Sequence, residues 1–257
     1  MSRSGYADKK GFYDRVLTVY GRKPALEALR DQRLDCHTLH LAQSNRDGGI
    51  VAELLAAAEA RGVPVKRHTR EALARISRNG RQDQGVALDV VCPAFQSLED
   101  YLLTLAALPT QRLLALDGIT NPQNVGMIVR SAAAGDIHGL IWSQKGTAAP
   151  GPLVIKASAG TLYRAPVLRC ASLPDALAQC REHGVELCSL DAGASQSLFE
   201  YRPTGHCIYV LGNETEGVSA EVAAMTDRAL SIPMGNGVES LNVAVTAGLI
   251  AYATRMR

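Results

Sequence analysis

From residue 111 onward, short runs that are apolar throughout alternate with longer stretches in which apolar positions recur every three or four residues. The runs predict strands at 112–117, 139–143, 165–168, 185–190, 206–211 and 229–232, and the longer stretches predict helices at 124–134, 153–161, 174–183, 219–225 and 241–255. Strands apolar on both faces and joined by helices form a buried parallel sheet. The front of the chain reads as a smaller α/β unit. A turn leads into a short helix within 19–29. Strand patterns follow at 36–42, 63–66 and 86–91, with helices at 50–61 and 70–77. Between the halves, Pro93 stops the preceding strand, Ser97 can cap a helix over 98–108, and Pro109 ends it. The expected organisation is a tail at 1–15, an α/β domain at 16–92, a linker with a short helix at 93–110, and an α/β parallel-sheet domain at 111–257.

Composition narrows this picture. With 257 residues, 47% of them hydrophobic, the chain can bury a substantial core in one or two domains. No apolar run approaches 18 residues and the first fifteen residues carry no signal-peptide core, so the expectation is a cytoplasmic protein without a membrane span. The six cysteines show no C-x-x-C pair and the six histidines are scattered, which points to reduced core thiols and no metal site. Charge is uneven: residues 1–92 hold 16 Lys and Arg against 11 Asp and Glu, and the remainder hold 11 against 14. The excess centres on Lys66, Arg67, Arg70, Arg75, Arg78 and Arg81, which suits a front domain that holds a polyanion.

The chemistry gathers at three strand ends. After 229–232 comes Pro-Met-Gly-Asn-Gly-Val-Glu-Ser-Leu-Asn, where Gly235 and Gly237 permit positive φ and Ser240 and Asn242 sit at a helix start. After 112–117 comes Gly-Ile-Thr-Asn-Pro-Gln-Asn-Val-Gly, with a helix beginning near Asn124. After 206–211 comes Gly-Asn-Glu-Thr-Glu-Gly. Ligands bind outside the carboxyl ends of strands in open parallel sheets, so these three ends predict one shared site. A G-x-G-x-x-G turn, the mark of a dinucleotide fold, does not follow the first strand.

Three motifs, Asn124-x-Gly126-x-x-x-Arg130, Gly212-Asn-Glu214-x-x-Gly217, and Ile232-Pro-Met with Ser240-Leu-Asn242, resemble in order and spacing the signatures of the SpoU (TrmH-like) RNA ribose 2′-O-methyltransferases of the SPOUT superfamily. That resemblance implies a carboxy-terminal trefoil knot, a homodimer through the knotted region, and S-adenosylmethionine as methyl donor. It implies that Arg130 and Glu214 are catalytic, with Asn124, Ser240 and Asn242 supplying neutral hydrogen bonds. Gly212, Ile232 and Leu241 would hold the cofactor, together with Met234, Leu211 and Leu190. The front domain resembles the ribosomal-protein-like RNA-binding domain of such enzymes at Tyr20-Gly21-Arg22 and Gln84-Gly85, although Asp83 stands where relatives commonly have His. Arg22, Arg67, Arg70, Arg78 and Arg81 are its candidate RNA contacts. The expected substrate is structured RNA, ribosomal in preference to transfer RNA, and the other classes of function left open are a non-catalytic RNA-binding protein on the same fold and a nucleotide-binding α/β enzyme with other chemistry.

Overall fold

The computed structural model describes residues 11–255; of the expected tail, residues 1–10 lie outside the described residues and 11–14 are helical. The chain divides into two compact units, one made by the segment that ends at Pro93 together with Pro150–Pro152 and the other by Ala94–Ala149 with 153–255.

The first unit contains β1 (Val16–Tyr20), α1 (Arg22–Arg30), β2 (Asp35–Ala42), α2 (Ile50–Ala60), β3 (Val65–His68), α3 (Arg70–Ser77) and β4 (Val86–Val91). Its four-stranded sheet runs β1-β4-β2-β3, with only β2 and β3 parallel. β1 is a strand that the turn-and-helix reading of 19–29 passed over: Val16–Tyr20 pairs along its whole length with β4, from Val16 opposite Val91 to Tyr20 opposite Ala87. β3 starts two residues later than expected, because Gly62 at φ 65° closes α2 and the Val63 amide donates back to Ala58 at 2.8 Å, so Val63 belongs to the helix cap. Helix α3 is capped by Thr69, whose hydroxyl accepts from the Ala72 amide, and it buries Leu73 against Ala42 and Ala87.

A polar chain crosses this sheet with one residue from each strand. Thr18 donates to Asp89 at 2.7 Å, His40 Nε2 meets the other Asp89 oxygen at 3.1 Å, and His40 Nδ1 lies 2.9 Å from His68 Nε2. Burial, and then the His40 ring and Lys66, hold the His68 pKa below its ordinary value. In the second unit burial and Arg112 do the same to His138, whose Nδ1 accepts the Arg112 amide at 3.0 Å. A histidine with a depressed folded pKa takes its proton more readily when unfolded, so the stability it contributes is present above about pH 6.5 and is lost as pH falls toward the folded value. The thermal midpoint of the full chain should drop between pH 7 and pH 5, and His68→Gln should make that drop smaller. A midpoint that stayed level across this range would show that both rings titrate alike folded and unfolded.

The second unit contains β5 (Gln96–Ser97), α4 (Leu98–Leu105), β6 (Arg112–Leu116), α5 (Pro122–Ala134), β7 (Gly139–Ser143), α6 (Pro152–Ala157), a 3-10 turn (Thr161–Arg164), β8 (Val167–Cys170), α7 (Leu173–Glu182), β9 (Glu186–Leu190), β10 (Cys207–Leu211), α8 (Ala220–Ala223), β11 (Arg228–Leu230) and α9 (Val243–Tyr252). All seven strands are parallel, in the order β11-β9-β10-β6-β7-β8-β5. From Ala94 on, the expected linker 93–110 is part of this unit: β5 pairs with β8, and α4 buries Leu98, Tyr101 and Leu105 among Leu113, Ile141 and Leu168. Ser97 caps α4 by accepting from Asp100 at 3.0 Å, and the helix gives way to turns after Leu105. Elsewhere the strands fall within two residues of the expected limits, and α6 stops early because Ala159 and Gly160 both take positive φ.

The opposite side of the sheet carries α5, with α9 packed along it. Gly126 makes the close approach of α6 possible: a Cβ there would stand 2.4 Å from Ala157 Cβ and 2.8 Å from the Val154 carbonyl. Five of the six cysteines are buried and Cys170 is half-buried. Burial drives the Cys170 and Cys207 thiols up to about 11 and the Cys180 and Cys188 thiols to about 12, far from the range of a reactive thiolate. Among the described residues no helix is long and apolar enough to cross a membrane, and no cluster of His, Cys, Asp and Glu forms a metal site.

Candidate active site

β9, β10 and β6 lie side by side, so their carboxyl ends open onto one edge of the sheet. The turn after β6 leads to Asn121, whose side chain accepts from the Gln123 amide and caps α5, with Pro122 at the first helical position. The helix therefore begins before Asn124, not at it. Asn124 sits in the first turn, 7% exposed, with its amide free of capping duty. Its Nδ2 donates to Glu214 in the turn after β10, and its Oδ1 accepts from Asn242 Nδ2 at 3.3 Å. Asn242 in turn caps α9, accepting from the Ala244 amide at 2.9 Å. One chain of side chains, Asn242 to Asn124 to Glu214, thus ties the three loops together.

Glu214, at one end of that chain, lines a cavity of about 340 Å³. Leu190, Leu211, Ile232 and Leu241 give it apolar lining, and Met234 and Gly212 line it as well. Glu214 and Ser240 stand on the same lining. Gly212 is required by packing: a Cβ would fall 2.1 Å from the Gly217 carbonyl carbon and 2.2 Å from the Val218 nitrogen. In the loop after β11 positive φ falls on Asn236 and Gly237, and Gly235 instead accepts the Val238 amide at 3.1 Å. Asp191, Asn213 and Glu239 also line the cavity, of which Asp191 belongs to the Leu190–Gly193 strand end expected to complete it. Asn213 lies beside Glu214, and adjacency to a strand end was the signal that would have found it.

Arg130 is the candidate that the loops do not gather. It is exposed on α5, lies outside the cavity lining, and has no hydrogen-bond or ion-pair partner among the described residues. Geometry explains this: six residues of helix at 3.6 per turn is about 1.7 turns, which sends Arg130 roughly 120° around α5 from Asn124. Leaning toward the helix start does not undo that rotation. Arg130 shares its exposed stripe with Gln123 and Met127.

In the first unit, Arg22 is half-buried and committed, with Nε donating to the Gln84 carbonyl at 3.3 Å and a terminal nitrogen to Asn45 at 3.0 Å. Arg67 pairs with Asp47 at 2.5 Å, while Arg70, Arg78 and Arg81 are exposed. Asp83 is 2% exposed and accepts from Ser77 at 2.7 Å and the Gly85 amide at 2.9 Å, so it holds the loop together from inside.

Adjacent strand ends of a parallel α/β sheet that open onto a cavity lined by both apolar and polar side chains, a carboxylate among them, are the arrangement in which such sheets hold a small molecule beside polar groups. The model of the SpoU rRNA methylase family matches residues 111–252, and the model described as RNA 2′-O ribose methyltransferase substrate binding matches residues 18–95. A protein of Mycolicibacterium smegmatis named as an uncharacterized tRNA/rRNA methyltransferase is 36% identical over 238 residues, covering 92% of this chain and 75% of that protein. A Mycobacterium bovis protein of the same description is 34% identical, covering 93% and 74%. The SpoU methyltransferase AviRb from Streptomyces viridochromogenes, solved in complex with AdoMet, matches 100% of this chain and 94% of its own at 25% identity, with a TM-score of 0.61. An AdoMet-bound rRNA methyltransferase from Sinorhizobium meliloti shares the fold at 22% identity and a TM-score of 0.63. The chain belongs to the SpoU methylase family and is a methyltransferase that acts on RNA.

Proposed function

We propose that this protein methylates a ribose 2′-hydroxyl in structured RNA, ribosomal RNA in preference to transfer RNA. The observation that carries the reading is the Asn242–Asn124–Glu214 chain, whose Glu214 end lines the cavity beside Leu211, Ile232 and Leu241. The methyl donor is S-adenosylmethionine, which supplies a methyl group already activated on a sulfonium. The cavity fits it: the wall of Leu190, Leu211, Ile232 and Leu241 can enclose an adenine, and the bare Gly212 backbone can hydrogen-bond its edge. Met234 adds a polarizable face. Because the leaving group needs no help, the protein's task is alignment and removal of a weakly acidic proton. Glu214 is the carboxylate placed to orient the sugar or an incoming guanidinium. Asn124 and Ser240 contribute neutral hydrogen bonds, and Asn242 fixes the Asn124 amide.

Arg130 is the remaining catalytic group, and in this reading it reaches the sugar oxygen of a partner subunit across a two-fold interface. What supports a homodimer is the apolar surface on the same helices: Met127 on α5, Val245 and Tyr252 on α9, and Leu153 on α6 are all exposed. The family's trefoil crossing of the carboxy-terminal chain belongs to the same reading. Arg70, Arg78 and Arg81 are the RNA-facing charges of the first unit. Replacing all three by Ala should weaken RNA binding on every sequence alike and flatten its salt dependence by about one unit of slope for each phosphate that is no longer neutralised. An unchanged slope in filter binding would remove them from the interface.

The test of the whole reading is a map of 2′-O-methylation in total RNA from cells with and without the gene. One ribosomal site should vanish with the gene. A loss confined to transfer RNA would move the substrate, whereas a lost base methylation, or no loss at all, would overturn the ribose reaction.

A further inference from the structure

We infer that Asn213, which takes no part in the proposed reaction so far, is the positioning residue that sets where the Glu214 carboxylate stands; this rests on the catalytic reading of Glu214. Every hydrogen-bonding group of Asn213 is engaged. Its amide donates to the Gly217 carbonyl at 2.8 Å and its carbonyl accepts the Gly217 amide at 2.9 Å, which closes the turn after β10 on itself. Its Oδ1 accepts from the Thr215 amide at 2.8 Å and the Glu216 amide at 3.3 Å, so the backbone immediately after Glu214 is clamped as well. Its Nδ2 reaches outward and donates to the Gly118 carbonyl at 2.8 Å, in the turn that leaves β6. Asp117 adds a second strut between the same two turns by accepting the Ser219 amide at 2.7 Å.

The turn that Asn213 grips is the one that leads into α5 and Asn124. The two partners of the Asn124–Glu214 hydrogen bond are therefore referenced to each other twice, once through their own contact and once through Asn213 and Gly118. Glu214 itself is exposed, and a free carboxylate side chain on a mobile turn would sample many rotamers. Holding the backbone on both sides of it, and tying that backbone to the start of α5, removes most of that freedom before RNA arrives.

Asn213→Asp separates the two halves of this role. It keeps an oxygen for the Thr215 and Glu216 amides but sets a second oxygen against the Gly118 carbonyl in place of a donor. Turnover should fall about ten- to hundredfold, and by more than the affinity for S-adenosylmethionine read by calorimetry, to which Asn213 also contributes as part of the cavity lining. Asn213→Ser, which keeps a turn acceptor and lacks the outward donor, should behave the same way if the aspartate folds poorly. The deciding measurement is the double variant with Glu214→Gln. If Asn213 acts through Glu214, Asn213→Asp adds little further loss to Glu214→Gln; if it only stabilises the loop, the two losses multiply and the proposal falls. A fully active Glu214→Gln variant would overturn the catalytic reading and this inference with it, and a multiplicative double variant would overturn this inference alone.

Discussion

Gly212→Ala should reduce the affinity for S-adenosylmethionine by at least about tenfold, and turnover with it, while the chain stays folded. The added methyl carbon would lie 2.1 and 2.2 Å from backbone atoms of Gly217 and Val218, not from a side chain that can rotate away. Relief requires the turn after β10 to open, and that turn is closed by two backbone hydrogen bonds between Asn213 and Gly217. Overpacking of this kind costs about 1–3 kcal/mol, and about 1.4 kcal/mol is a factor of ten in binding. The strain falls on the cavity because Gly212, Glu214 and Gly217 all line it. Calorimetric titration of the cofactor, beside a thermal melt, checks this. Wild-type affinity in the variant would show that the turn yields and that packing does not dictate a glycine there.

Arg130→Ala should do the reverse, leaving cofactor affinity within about twofold of wild type and lowering turnover by about 10²–10³, the usual effect of deleting a group that stabilises developing charge. Binding is spared because Arg130 does not line the cavity of its own chain. The two variants also test how the site is assembled. In a mixed dimer, an Arg130→Ala chain keeps its own cavity and borrows a guanidinium from a Gly212→Ala chain. Co-expressed variants should regain activity that neither has alone if the arginine crosses to a partner. No recovery would place it in its own subunit's site, and an active Arg130→Ala enzyme would remove it from catalysis.

How far the site was legible depended on the reach of each signal. Gly212, Ile232 and Leu241 were named by the resemblance of their motifs to the SpoU signatures, whereas the shared edge of the strand ends was legible from pattern, because in a parallel sheet the carboxyl ends of neighbouring strands must lie together. That Arg130 stands outside the cavity lining was not legible in its motif, because spacing along the chain does not display the rotation of roughly 120° that six residues of helix impose. Helix α5 began earlier than expected because Asn121 and Pro122 form a stronger start than Asn124 does. The segment 93–110 looked like a linker, since two strand residues are too few to give a period, and only their pairing with β8 shows otherwise.

The amino-acid sequence alone therefore determined the alternation of strands and helices, the α/β class, the division into a basic front unit and a parallel-sheet unit, and the three loops that carry the chemistry, because all of these follow from periodicity and residue type along the chain. The tertiary structure alone decided that Asn124 stands between Glu214 and Asn242, that Asn213 binds the turn after β10 to the turn after β6, and that Arg130 stays outside the cavity lining. These relations join residues about 90 to 120 positions apart or depend on the rotation of one helix against its neighbours, and no local pattern carries them.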